Sequence, residues 1–421
     1  MPVDVLMVGT GEYTTGFGAS AGSDKRRGVV ALVTLDLRAR GVVRAVHMAG
    51  SDGSKLPAIR AHVEAELRGA YPATFAAADA LAMTTYPEDG VRDGAAYKAA
   101  LAALPRGSAV IIFTPDDTHF AIAMDAVAAG MHVLVTKPIV LTLAQHRALA
   151  AAADAAGALV AVEVHKRWDP IYSDARDRLR SLGDFAYLNA YMSQPKAQLE
   201  VFRAWAGQSS DISYYLNSHH VDMSEWVYGD RARPLSVVAR ASTGVGAALL
   251  GRPVEDTIAL LAEWENVPSG ARGTAVYTAS WAAPRADVHS QQRFHCMGHG
   301  GEVTVDQAHR GYAVATDAAG FSSQNPLFFR YTPCDGRFAG QQSYGYRSIE
   351  DFILAVQKIA AGAAAARDFD ASLATVHTTQ QGTAILEAGR VSLDSGGAAV
   401  DIVYADGGLH PTALKLRTAA A

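Results

Sequence analysis

Thr114 to Pro138 reads TPDDTHFAIAMDAVAAGMHVLVTKP, and this stretch decides the fold. An apolar run, Ala109–Phe113, leads into a Thr-Pro-Asp-Asp-Thr-His loop. A short helical segment follows and stops at Gly130, as helices commonly do at glycine. A second apolar run, His132–Val135, then delivers Thr136-Lys137-Pro138. Strand, loop, helix, strand is a βαβ pattern, whose strands lie parallel. A residue before proline has a restricted backbone. Lys137 is therefore held firmly at a strand end, a good place for a proton-transfer group.

The same alternation extends both ways. Val3–Val8 is an apolar strand with one acid, Asp4, and Val42–Met48 is a second. The helix after Thr142 opens with a capping box, Gln145 standing three residues on, and ends at Gly157. Leu159–Val164 is the next strand; Asp169 then caps a helix with Pro170 at its first position. Alternating strands and helices predict an α/β Rossmann domain over residues 1–163. After Asp184 the texture changes. Strand-like runs succeed one another at Phe185–Met192, Leu235–Ala241, Thr257–Trp264, Ala275–Trp281, Arg293–Met297 and Glu302–Val305. Short turns between strands predict an α+β domain with an open, mainly antiparallel sheet, over residues 164–406. Helical stretches are expected at Ile212–Val227, Ile349–Ala361 and Leu373–Gly389. Residues 407–421 read as a tail without a clear element.

Composition excludes several functions. The chain has 421 residues, 49% of them hydrophobic and 19% charged, which describes a globular protein of two domains. A net charge of −5 advertises no electrostatic nucleic-acid partner. No apolar stretch reaches membrane-spanning length. The N-terminus, MPVDVLMVGTGEY, lacks the basic segment of a signal peptide. Cys296 and Cys334 form neither a metal spacing nor a disulfide framework, so a reducing, cytoplasmic location is expected.

Gly9-Thr10-Gly11 follows the first strand directly. A tight turn that lets the backbone approach a pyrophosphate needs glycine there. The third glycine of the dinucleotide fingerprint is absent: Thr14 occupies its place and Gly16 comes two later. After the second strand the chain reads Gly50-Ser51-Asp52-Gly53-Ser54-Lys55. Ser51 and Lys55 suit a 2′-phosphate and hence NADP. Asp52 suits ribose hydroxyls and hence NAD. The segment also reads as a plain polar turn, and the sequence leaves NAD and NADP both open.

The Thr-Pro-Asp loop, the Thr-Lys-Pro turn and the helical run Tyr214–Trp226 together resemble the glucose–fructose oxidoreductase/inositol dehydrogenase (Gfo/Idh/MocA) family. The resemblance implies a cofactor loop at Thr114, Pro115 and Asp116, where the family usually has Thr-Pro-Asn. It implies a cofactor-side histidine at His119, for which a structural role, capping that helix or packing, is the alternative. It implies that Lys137, in place of the lysine of the family's Glu-Lys-Pro, sits beside the nicotinamide and touches substrate; here Thr136 replaces the Glu. In the helix, His219 and Asp222 fill family positions, while Tyr215 stands where many members carry Asp. Lys137, Tyr215 and His219 are then the expected catalytic residues. On an α-helix positions 215, 219, 222 and 226 share a face. The alternative is a core stripe with a buried histidine. His219 and His220 point about 100° apart, and no metal site is expected. Arg167 and Trp168, at the end of the sixth strand, and Lys196 are expected in the substrate cleft. For the first two an interdomain salt bridge and aromatic plug is equally open. The implied function is an NAD(P)-dependent dehydrogenase or reductase acting on a CH–OH carbon of a sugar or cyclitol, working as a homo-oligomeric dimer or tetramer. A glycoside-cleaving enzyme with transient sugar oxidation and a non-catalytic sensor are the alternatives.

Overall fold

The computed structural model describes residues 2–19, 25–286, 288, 290–309, 313–317, 320–323, 345–405 and 407–417. Cys334 lies outside them. The contacts divide the chain into two units.

In the first unit six strands form one parallel sheet in the order β3-β2-β1-β4-β5-β6. They are β1 (Val3–Val8), β2 (Val43–Ala49), β3 (Thr84–Tyr86), β4 (Ala109–Ile112), β5 (His132–Thr136) and β6 (Val160–Glu163). β1, β4 and β6 are buried at every residue, as parallel strands covered on both faces must be. This order is the doubly wound Rossmann sheet. Its switch point, where ligands bind, lies beyond the carboxyl ends of β1 and β4. Asp4 on β1 is reconciled with its burial by Arg44, whose guanidinium makes two hydrogen bonds of 2.7 Å to the carboxylate.

The expected single cut at residue 163 is not how contacts divide the chain. The first unit also takes in residues up to Asp169 and a returning segment, Leu327–Val376, whereas Val140–Arg147 goes to the second. The reason is the helix Tyr346–Ala360. Its buried face, Tyr346, Ile349, Phe352, Ile353 and Val356, joins the core of the first sheet with Val5, Met7, Leu32 and Leu35. The Tyr346 hydroxyl donates to buried Asp36 at 2.6 Å. Beyond it, main-chain hydrogen bonds link Val162 to Ala374 and Val376 to Val160 along the outer edge of β6.

The second unit carries an eight-stranded sheet in the order β12-β11-β7-β10-β9-β8-β15-β16. Its strands are β7 (Phe185–Pro195), β8 (Ala232–Thr243), β9 (Glu255–Asn266), β10 (Arg272–Ala283), β11 (Gln291–Gly298), β12 (Gly301–Asp306), β15 (Val400–Tyr404) and β16 (Pro411–Leu416). A separate hairpin pairs β13 (Ala313–Thr316) with β14 (Gly320–Ser323). All neighbours in the large sheet are antiparallel except β7 and β10, which are parallel. One face buries Trp264, Tyr277 and Trp281 with Tyr228, Ile385 and Leu386 of the helices that cover it. The expected tail is corrected: Pro411–Leu416 forms β16 and pairs with β15. Its apolar alternation is short, which hid it. The expected helix at Leu373–Gly389 starts later, spanning Gln380–Asp394. Its first turn is fixed by Glu225, whose carboxylate accepts the Gln381 and Gly382 N–H groups at 2.8 and 2.7 Å. Free N–H groups at a helix start need such an acceptor.

Candidate active site

In the first unit, two loops meet beyond β1 and β4. The Gly9 N–H donates to Ala49 O at 2.9 Å, and the Phe113 N–H to Val8 O at 2.8 Å. Gly9 has φ of 109°, and a Cβ there would lie 2.0 Å from the Phe113 carbonyl oxygen. No other residue fits that position. A Cβ on Gly11 would meet nothing within 4 Å, so that side of the turn is open to a ligand. Thr14, in place of the third glycine, is buried. The close approach has moved to Gly16, where a Cβ would sit 2.0 Å from the Arg26 carbonyl oxygen. Tyr13 stacks on Phe113 with ring centroids 4.9 Å apart, tying the glycine turn to the Thr-Pro-Asp loop.

That loop is braced from within. The Thr118 hydroxyl lies 2.7 Å from both Thr114 Oγ1 and the Pro115 carbonyl oxygen. Fully buried His119 faces Pro138 O with Nδ1 at 2.8 Å and Thr114 O with Nε2 at 2.9 Å. Both ring nitrogens are thus engaged by main chain. The imidazole joins the Thr-Pro-Asp loop to the Lys-Pro turn.

Lys137 follows β5. Burial pulls its ammonium down from the usual 10.5 to about 8. Asp116 acts against this, Lys25 adds to it, and Glu163 opposes it. Glu163 was missed in the sequence. It ends β6 directly beside Thr136 in the strand register, so it brings a carboxylate to the strand neighbouring the position where the family's Glu is absent. It is 2% exposed, accepts the Ser348 hydroxyl at 2.8 Å and lies 3.5 Å from His165 Nδ1. An acid closing the apolar run Leu159–Val164 was the available signal. Trp168 donates its indole N–H to Asp351 at 2.7 Å, which anchors it to the helix Tyr346–Ala360; Arg167 beside it is half-buried.

In the second unit the helix expected at Ile212–Val227 opens with a π-helical turn, Ser213–Asn217, before the α-helix Ser218–Tyr228. Wider turns rotate the chain less per residue. The spacing from Tyr215 to His219 therefore runs from a π-helical into an α-helical turn. π-turns inside helices frequently mark functional sites. Asp211 holds the turn, accepting the Ser213 and Tyr214 N–H groups at 2.8 and 3.0 Å. Half-buried Tyr215 packs against Phe202 and Trp205, with centroids at 4.9 and 5.5 Å. His219 and Asp222 are each 7% exposed. Trp226 lies under the Arg176 guanidinium, 5.0 Å from the ring centroid. Lys196, just past β7, is exposed. Among the described residues, no group of three His, Cys, Asp or Glu side chains forms a metal site, and no helix is long and apolar enough to cross a membrane.

Known proteins resemble this sheet in sequence. Residues 3–164 match the Gfo/Idh/MocA family, described as an oxidoreductase family with an NAD-binding Rossmann fold. Over those residues the chain is similar to that family. The uncharacterised oxidoreductase YdgJ of Escherichia coli K12 is 34% identical over 128 residues, 30% of this chain and 37% of that protein. The NADP(+)-dependent scyllo-inositol 2-dehydrogenase IolW of Bacillus subtilis is 32% identical over 124 residues, 28% of this chain and 34% of its own. The chain thus aligns with about a third of the length of these curated relatives. Similarity of fold extends further. The structure of GenD2 from gentamicin A biosynthesis in complex with NAD superposes with a TM-score of 0.65 at 22% identity, covering 96% of this chain and 97% of that one. Myo-inositol 2-dehydrogenase from Lactobacillus plantarum gives 0.64 at 19% identity, covering 96% and 100%. Both units therefore follow the fold of these two structures.

Proposed function

We propose that this protein is an NAD(P)-dependent oxidoreductase acting on a CH–OH carbon of a sugar, a cyclitol or a derivative. One observation carries the reading most strongly. The glycine turn at the Rossmann switch point, whose Gly9 admits no side chain, and a lysine with its ammonium near 8 belong to the same unit. Gly9, Thr10 and Gly11 would hold a pyrophosphate by backbone approach, with Thr114, Pro115 and Asp116 lining the nicotinamide side and His119 bracing them. The bound dinucleotide would supply hydride transfer. Lys137 exchanges the proton of the reacting hydroxyl, because an amine near neutrality works in either direction. By resemblance to the family, Tyr215 and His219 of the second unit are assigned to proton exchange, and Asp222 and Lys196 of that unit and Arg167 and Trp168 of the first to substrate hydroxyls. Relatives with inositol dehydrogenase names support a cyclitol or sugar.

The open face of the large sheet exposes Tyr191, Leu261 and Met297, which the strand registers put on one side. A second copy of the chain is the proposed cover; light scattering showing a monomer would overturn this. The function itself is tested by titration calorimetry with NADH and NADPH, followed by scyllo- and myo-inositol and a sugar panel read at the nicotinamide absorbance. Failure to bind either dinucleotide at millimolar concentration sinks the reading.

A further inference from the structure

We propose that the ribose end of the dinucleotide site takes a 2′-phosphate held by Arg92, Lys55 and Ser51, so that the chain selects NADP(H) over NAD(H). The inference rests on the dinucleotide reading above and goes beyond it, since the named relatives include both NADP(+) and NAD(+) enzymes.

Selection of NAD requires a carboxylate free to accept both ribose hydroxyls near the end of the second strand. The chain has none there. β2 ends at Ala49, and the next residue is Gly50. A Cβ on Gly50 would lie 2.7 Å from Thr10 Cγ2, inside the glycine turn itself. A side chain at this position would have to displace Thr10.

The nearest acid, Asp52, is already spent. One carboxylate oxygen accepts the Ser54 N–H at 3.1 Å and the Ser54 hydroxyl at 2.5 Å. The other lies 3.3 Å from the Arg92 guanidinium. Residues 52 and 92 also form an isolated antiparallel bridge, and Gly53 N–H donates to Val91 O at 2.7 Å. The two loops are thus fastened together, which fixes where Arg92 stands.

What remains for a ligand is positive. The Arg92 side chain is 79% exposed and spends one edge on Asp52, leaving donors to spare. Lys55 and Ser51 are exposed beside it. The remaining acids of the second loop are mostly occupied: Asp89 pairs with Arg60 at 2.6 Å, and Asp93 accepts the Ala95 N–H at 2.8 Å. Glu88 is exposed. A guanidinium held in place by a carboxylate is a good phosphate ligand, since its planar fork matches phosphate oxygens.

The test is calorimetry on the full chain with NADPH and NADH, and with adenosine 2′,5′-bisphosphate against AMP to isolate the ribose end. NADPH should bind at least about tenfold more tightly than NADH, the scale of a charge-assisted hydrogen bond. Arg92→Ala should weaken NADPH and the bisphosphate by roughly tenfold or more and leave NADH within about twofold. Lys55→Ala should act in the same sense, less strongly. Both side chains are exposed, and unchanged thermal melting confirms that the variants fold. NADH binding as tightly as NADPH, or both variants weakening the two cofactors equally, overturns the inference and leaves the oxidoreductase reading standing. Failure of both cofactors to bind overturns the two together.

Discussion

Lys137 makes the sharpest prediction because its chemistry is set by its surroundings. With its ammonium near 8 in place of 10.5, about a quarter of the amine is neutral at pH 7.5, against roughly one part in a thousand for an unshifted lysine. That is a gain of some two hundredfold in neutral amine, about 3 kcal/mol. The perturbation is pH itself, and the assay needs no substrate. Competitive acetylation across pH 6 to 11, read by mass spectrometry of the Lys137 peptide, should inflect near about 8. Solvent-exposed lysines in the same sample should inflect near about 10.4. The direction of catalysis then follows. Alcohol oxidation requires the neutral amine as base, so kcat/KM should rise through about 8; carbonyl reduction requires the ammonium and should fall there. Asp116→Asn removes a charge that favours the ammonium, so the inflection should move lower still. An inflection near 10.5, or one indifferent to Asp116, refutes the argument that burial tunes this residue.

The remaining predictions concern single side chains. Lys137→Met should lower turnover by roughly 10²–10⁴-fold with dinucleotide affinity retained; near-normal turnover makes the lysine structural. Tyr215→Phe keeps the ring against Phe202 and Trp205, so the melting temperature should hold while turnover falls by a similar factor. Gly9→Ala should cost about 1–3 kcal/mol in denaturant unfolding and abolish dinucleotide binding in calorimetry, since its Cβ would sit 2.0 Å from a carbonyl oxygen. Glu225→Ala should destabilise by about 2–3 kcal/mol, because two buried N–H groups at the start of Gln380–Asp394 lose their acceptor; an unchanged unfolding midpoint would count against that role.

The Rossmann half was legible because its cues are local. Apolar runs, a glycine turn and helix-stopping glycines lie in sequence where they lie in space. The strands β7 to β12 of the second sheet were legible for the same reason, whereas β15 and β16 were not, nor were the neighbours: pairing β7 with β10 in parallel depends on long-range register. The helix Tyr346–Ala360 was expected as a helix, yet its place in the first unit was invisible. Its apolar face specifies burial, not a partner. The π-turn at Ser213–Asn217 had no signal, since it is created by Asp211 and the packing around it. Glu163 was passed over because a single acid in an apolar strand looks like a strand end. Only the register beside Thr136 shows what it faces.

The threading of the chain sets an order for synthesis. The first sheet is fully translated by Glu163, but the helix that buries Ile349, Phe352 and Val356 against its core emerges nearly two hundred residues later. Until then the nascent sheet presents a greasy flank while the whole of the second unit's large central portion is still being made. A ribosome stalled near residue 300, or a gene cut at the obvious boundary, would therefore release a Rossmann sheet without its last layer. Such a fragment is the natural client of a chaperone, and an expression trial of residues 1–163 should yield aggregate where the full chain stays in solution.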